Sequence, residues 1–321
     1  MNYIKCLVLT LLLLFCGVAV GQDKTRMAAH QQRLAQLFER VASAPTDNER
    51  YLSSEEAVDA LRDALDEAGS ERWRWQLPRS VSVLTSPDNK LRIFTWAVVR
   101  DNGEFECFGV VQYYNERTAS YEHSVLHDKS EDIMNREESL LSADNWLGAI
   151  YQDIIQTTAG ERTYYTLLGW NGVDNLTDRR VIEPVILRGE PQFGASVFRR
   201  ERNLRRVVIE YRGDAAVQMA FDEQTVQTVT RERVKVKGRY RTVEKTKESK
   251  EKVIIFDEVE PQVQGMEGLF QYYVPSGLEM AYAWIDGKWE LRHGAQGRLA
   301  DKKLNKTFAP LPKTAPSYEY K

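Results

Sequence analysis

The sequence predicts a mainly β protein: an antiparallel meander that closes into a barrel or folds into a sandwich, preceded by an α-helical hairpin. Three observations carry this reading. Between Trp73 and Leu291 apolar side chains recur with the two-residue period of half-buried strands. Turn residues interrupt that pattern about every 8 to 12 positions, the rhythm of an all-β domain. The connections are too short for parallel crossovers, so neighbouring strands are antiparallel. A small β-propeller is the alternative, because groups of strands of similar length recur near Leu91, Ala149 and Val207.

Taken in order, residues 1–21 read as a signal peptide. A cationic start at Lys5 precedes an apolar run from Leu7 to Phe15 broken only by Thr10, and small residues Ala19 and Gly21 are spaced for cleavage before Gln22. That run is shorter than the roughly 20 residues that cross a bilayer. A lipid anchor at Cys16 is the lesser alternative, since bulky Phe15 stands where a lipoprotein signal has a small residue. The expectation is an exported, periplasmic or secreted chain. Loss of the leader removes Cys6 and Cys16, so Cys107 remains alone and no internal disulfide can form. With no His, Lys or Arg beside it to depress its pKa, Cys107 reads as a small buried hydrophobe.

Residues 22–72 should form the helical hairpin. Leu34, Leu37, Phe38 and Val41 occupy one helical face and Pro45 closes that helix; Ser53 with Glu56 starts a second, striped by Val58, Leu61 and Leu65 and ended by Gly69. The β domain is expected over 73–297. Its first four strands lie near Val81–Val83, Leu91–Val99, Phe105–Tyr113 and Tyr121–Leu126, and 128–145 is charged with room for one helical turn. Three strands then follow from Ala149 to Leu187, with Ile150 and Ile154 on one side, Tyr151 and Asp153 on the other, and Gly160 and Asn171-Gly172 as positive-φ turns. Val207–Tyr211 is expected to pair with Val217–Phe221, and Val253–Phe256 to continue the meander past an insertion. Leu269–Val274, Glu279–Ile285 and Lys288–Leu291 would be joined by turns at Pro275-Ser276-Gly277 and Asp286-Gly287; residues 298–321 read as an extended tail.

The sharpest local anomaly is the insertion hairpin 225–252. Its segment 231–252 holds ten Lys or Arg against four Glu, although the whole chain has a formal charge of only -3. Arg231, Arg233, Lys235 and Lys237 alternate along one strand, Gly238 turns, and Arg239 and Arg241 return, so a projecting ribbon would offer a basic surface to an acidic partner such as an envelope component. A solvated hairpin whose cations discourage edge pairing is the plainer interpretation. With Tyr240 its sole aromatic residue, the segment is a poor match to nucleic-acid binders.

Other candidates are weaker. Asp174 and Asp178, with Asn171 and Asn175, supply oxygen donors in one loop, but without the alternation of a calcium loop; polar turns have this composition for conformational reasons. His123 and His127 stand too far apart on a strand, roughly 13 Å, to share an ion. No metal and no cofactor is expected. Seven tryptophans, with Trp73 and Trp75 on one side of an extended segment, bring carbohydrate to mind, yet β cores use most such residues for packing. No Gly-rich phosphate loop, G-x-S-x-G elbow or partnered cysteine occurs, and carboxylates such as Glu183, Asp257, Glu258 and Glu267 are too common to single out an acid and base pair.

The segments TYYTLLGWNG (Thr163 to Gly172), FGASVF (Phe193 to Phe198) and GLFQYYVPSG (Gly268 to Gly277) resemble an uncharacterised family of exported bacterial β-rich proteins. The resemblance implies export and a β-rich fold, and no activity. The expected function is therefore non-enzymatic binding or scaffolding at the envelope or outside the cell; the alternative is a hydrolase acting on glycan or peptide through paired carboxylates.

Overall fold

The structure is a computed structural model describing residues 24–199, 203–236 and 239–293. The expected signal peptide, Cys16, the tail at 298–321, Lys237 and Gly238 lie outside the described residues, as does the side chain of Arg231.

Helix α1 occupies 24–43 and buries Leu34, Leu37, Phe38 and Val41, the face its periodicity predicts. Helix α2 (Asp47–Leu65) begins six residues before the expected Ser53, because Thr46 and Glu49 already form a reciprocal capping box. Ser53 and Ser54 are thereby buried inside the helix, and Ser54 Oγ accepts the Trp96 indole N–H at 2.6 Å.

Thirteen strands follow among the described residues, in three antiparallel sheets. The first sheet is the meander β1 (Ser82–Thr85), β2 (Leu91–Val99), β3 (Phe105–Asn115) and β4 (Ser120–His127). The second contains β5 (Ile150–Ala159), β6 (Arg162–Asn171), β7 (Thr177–Arg188) and β8 (Glu190–Phe193), with β9 (Val207–Arg212) beside β7. The third is β10 (Met219–Val236), β11 (Arg239–Pro261), β12 (Tyr273–Ile285) and β13 (Lys288–His293).

Alternating side chains stack these layers into a sandwich-like row rather than a closed barrel. Phe94, Trp96 and Val110 meet the helices, whereas Ile93, Cys107 and Val111 meet the second sheet. Leu167 and Val181 face the first sheet while their neighbours Leu168 and Ile182 face the third. Ile254 and Phe256 complete that second interface. The middle sheet is therefore covered on both sides, which explains near-continuous apolar runs such as Val185-Ile186-Leu187.

Several pairings differ from the sequence expectation. A bulge at Gln152 resets the alternation in β5: Tyr151 faces Gly169 and Ile154 faces Leu167, so these two share a side and Tyr151 is fully buried. Strand β9 pairs with Thr177–Ile182 of β7 instead of with β10, and the ion pair between buried Arg179 and half-buried Glu210 (2.8 Å) spans that pairing. Pro275-Ser276-Gly277 is not a hairpin turn. It is an irregularity within β12, where the register slips opposite Asp257 and Val259. Asn171-Gly172 makes no left-handed turn either: Asn171 ends β6 and donates to the Gly148 carbonyl at 2.6 Å, and Gly172 lies so close to the Trp170 ring that a Cβ would meet it at 2.5 Å.

Candidate functional site

The basic hairpin is the part of the molecule least explained by folding. Strands β10 and β11 pair without interruption from Met219↔Phe256 to Val236↔Arg239, but β11 meets β12 only from Val253 onward. Beyond Thr225 the pair is thus a free two-stranded ribbon, ~40 Å long at about 3.4 Å per residue. Its register divides the candidate cations between two faces. Arg233 and Lys235 share a face with Tyr240, over whose ring they lie at 6.0 and 5.9 Å. Arg239 and Arg241 take the opposite face, with Val234 and Val243. All four cations are exposed, as are Tyr240 at 66% and Val243 at 39%. Arg231 pairs in register with Glu244. The ribbon therefore offers two basic faces, one with an aromatic ring and one with apolar methyls.

The other candidates are absorbed by the architecture. Asp174 Oδ1 accepts the backbone N–H groups of Leu176 and Thr177, both at 2.7 Å, which is turn chemistry. Asp178 is buried in β7 and accepts the Trp170 indole N–H at 3.3 Å. Asn175 donates to the Asn102 carbonyl, locking two loops together. His123 sits 2.9 Å from Asp66 at the end of α2. No group of three or more His, Cys, Asp or Glu among the described residues is arranged to hold a metal ion. Cys107 is buried on the face of β3 that meets the second sheet, and burial, with Asp128 and Glu106 nearby, pushes its thiol well above the usual range, which disfavours the nucleophilic thiolate.

The carboxylates named from the sequence do not gather at one opening. Glu183 is fully buried and ion-paired to equally buried Arg206 at 2.8 Å. Desolvation raises the Glu183 pKa, with Arg206 opposing the rise, and Oε2 has no hydrogen-bond partner. Arg206 also donates to the carbonyls of Arg136, Ser139 and Phe193, so the pair ties the 136–141 loop to the second sheet. Asp257 accepts the Gln218 N–H, Glu258 takes the Ser276 hydroxyl, and neither lines a described cleft with the other.

Three surface grooves stand out among the described residues. One of about 230 Å³, beside Asp128, is largely carboxylate-lined. A second, about 410 Å³, lies between the ends of the first two sheets and includes Arg117, Arg162 and Arg188. The third, about 700 Å³, is bounded by Trp73, Trp75 and Tyr121. Sequence spacing flagged the two tryptophans; Tyr121 joins them only through folding. Most other tryptophans are core residues, with Trp96 at 1%, Trp146 at 0%, Trp170 at 5% and Trp289 at 0% exposure.

Comparison with protein-family models, with curated proteins and with solved structures finds no match. No described helix is long and apolar enough to cross a membrane.

Proposed function

We propose that this chain is an exported, non-enzymatic binding protein that uses its layered body as a base from which the β10–β11 ribbon reaches an acidic envelope surface. One observation carries the reading: the ribbon continues for ~40 Å beyond Thr225 with no third strand and with both faces basic. An isolated two-stranded hairpin is marginal in water, so such an extension gains most of its order from what it touches. The cations attract anionic groups, and Tyr240, Val234 and Val243 add contact area once the partner is reached. Export itself rests on Lys5, the Leu7–Phe15 run and the Ala19/Gly21 spacing.

The test replaces residues 226–249 with Asn-Gly, which joins the paired Thr225 and Lys250 through a two-residue turn. Wild-type protein is expected to sediment with vesicles containing phosphatidylglycerol and to be retained on heparin, both effects falling as salt rises. The truncated protein should show neither. Equal sedimentation and retention of the two proteins would remove the ribbon from the function, and finding the chain in the cytosol with residues 1–21 still attached would remove export.

A further inference from the structure

The groove of about 700 Å³ beside the helical hairpin gathers three aromatic side chains that the core does not fully bury, Trp73, Trp75 and Tyr121. Its floor is the end of the first sheet that α1 and α2 leave uncovered. In register, Thr85 faces Arg92, Arg92 faces Gln112, and Gln112 faces His123, with Tyr121 two residues along the same side. Its wall is the extended segment 73–75, where two-residue spacing sets Trp73 and Trp75 on the same side.

All three rings are held in place without a ligand. The Trp73 indole N–H donates to Gln31 Oε1 at 3.1 Å, and the same oxygen accepts the Gln76 backbone N–H at 2.9 Å, clamping the wall to α1. Trp75 stands edge-on to Phe94 with centroids 5.6 Å apart. Tyr121 donates to the Asn89 carbonyl at 3.2 Å and is 37% exposed. A binding face fixed in advance loses little side-chain entropy on binding.

The charge of the groove comes from Arg92. It is 7% exposed and donates to Thr85 Oγ1, the Ser70 carbonyl, Gln112 Oε1 and the Glu71 carbonyl, at 3.0, 2.9, 3.3 and 2.7 Å. Every one of these acceptors is neutral, and the Glu71 carboxylate acts on the guanidinium only through space. Exposed Arg74, next in sequence to both tryptophans, is a second cation at the rim of the groove. Arg72 is matched by Glu71 at 3.2 Å, and both oxygens of Asp88 are taken by Ser86, Lys90 and Tyr165.

We infer that this groove binds a carboxylate-bearing saccharide chain, with sugar rings lying on Trp73, Trp75 and Tyr121 and a uronate carboxylate meeting Arg74 above the field of Arg92. Flat apolar ring faces recognise the C–H side of a pyranose, and guanidinium recognises its carboxylate. Single-stranded nucleic acid also stacks on aromatic rings, but it needs a continuous cationic track, and here three arginines are set against two carboxylates. The site is separate from the ribbon, and neither reading depends on the other.

The experiment is calorimetric titration of the folded protein with oligogalacturonate, oligomannuronate and hyaluronate hexasaccharide, alongside cellohexaose and oligo(dT). At least one uronate chain should bind, at least tenfold more tightly than cellohexaose, and quench tryptophan fluorescence. Tyr121→Ala and Trp73→Ala should each weaken that binding tenfold or more, and Arg74→Ala should erase the preference over the neutral chain. Trp73→Phe keeps a ring without the clamp to Gln31 and serves if Trp73→Ala fails to fold. Absence of binding by all three uronates, unchanged affinity in Tyr121→Ala and Arg74→Ala, or tighter binding of oligo(dT) would each overturn the inference.

Discussion

The second sheet and the β10–β11 ribbon are both antiparallel, yet they are opposites in what holds them. Strand β7 has β6 on one edge and β8 and β9 on the other, and is buried along nearly its whole length by layers on both faces. The ribbon has the longest uninterrupted ladder among the described strands, 18 paired positions, but past Val253 it has no third strand, and its described side chains there are mostly exposed. Backbone hydrogen bonds exchange with water at little net gain, whereas apolar burial does not. The longest ladder should therefore be the first to open.

The comparison breaks most sharply at Arg206. Removing this guanidinium strands the Glu183 carboxylate in a dry interior and takes a donor from the Arg136, Ser139 and Phe193 carbonyls, of which Phe193 keeps the Leu141 N–H. Arg206→Ala should cost ~3–5 kcal/mol in urea unfolding. A loss under 1 kcal/mol would mean that the second sheet tolerates an unpaired charge. Leu167→Ala, fully buried between the first two sheets, should follow at about 2–5 kcal/mol with an unchanged m-value.

Much of this contrast was legible beforehand, and the reasons for the remainder are physical. Strand β2 was bounded correctly at Leu91 and Val99 because Pro87-Asp88-Asn89 and Asp101-Asn102-Gly103 write the turns locally. The bulge at Gln152 has no local signal, since it arises where β5 must match β6. The partner of β9 was equally hidden: its alternation suits either neighbour, and the contact of Arg179 with Glu210 across β7 and β9 forms only in the fold. At the aromatic groove the Trp73 and Trp75 spacing was visible, whereas Tyr121 arrives from a strand more than forty positions away. Lone charges inside apolar runs, Arg92 in LRIFTW and Glu183 in VIEPVIL, were the readable sign that the interior holds fixed polar contacts.

A smaller effect concerns pH. Burial raises the pKa of Asp128, Asp153, Glu183 and Asp257 in the folded protein. A carboxyl with a raised folded pKa binds its proton more readily when folded, so it favours the native state below its unfolded pKa and loses that contribution as pH climbs through the folded value. Melting temperature should thus rise as pH falls from neutrality toward the ordinary carboxyl values, 3.8 for Asp and 4.5 for Glu, which the folded values exceed. Asp153→Asn keeps an oxygen for the Ile154 N–H, at 2.8 Å in the wild type, and should flatten part of that slope. A melting temperature that falls steadily over this range would show lowered carboxyls, such as Glu122, to dominate.

The smallest expected change is the most informative. Replacing 226–249 with Asn-Gly removes most of the free ladder but no side chain from the apolar clusters of the body. If burial rather than pairing holds this molecule together, thermal unfolding should shift by less than about 0.5 kcal/mol. In the intact protein, amides of the ribbon should exchange with solvent orders of magnitude faster than those of β6 and β7, despite equivalent hydrogen bonding on paper. Slow exchange in the ribbon of the isolated chain would mean that it is ordered without a partner, and the contrast between the two regions would fail. Slowing that appears only when acidic vesicles are added would identify the partner as the source of the ribbon's order.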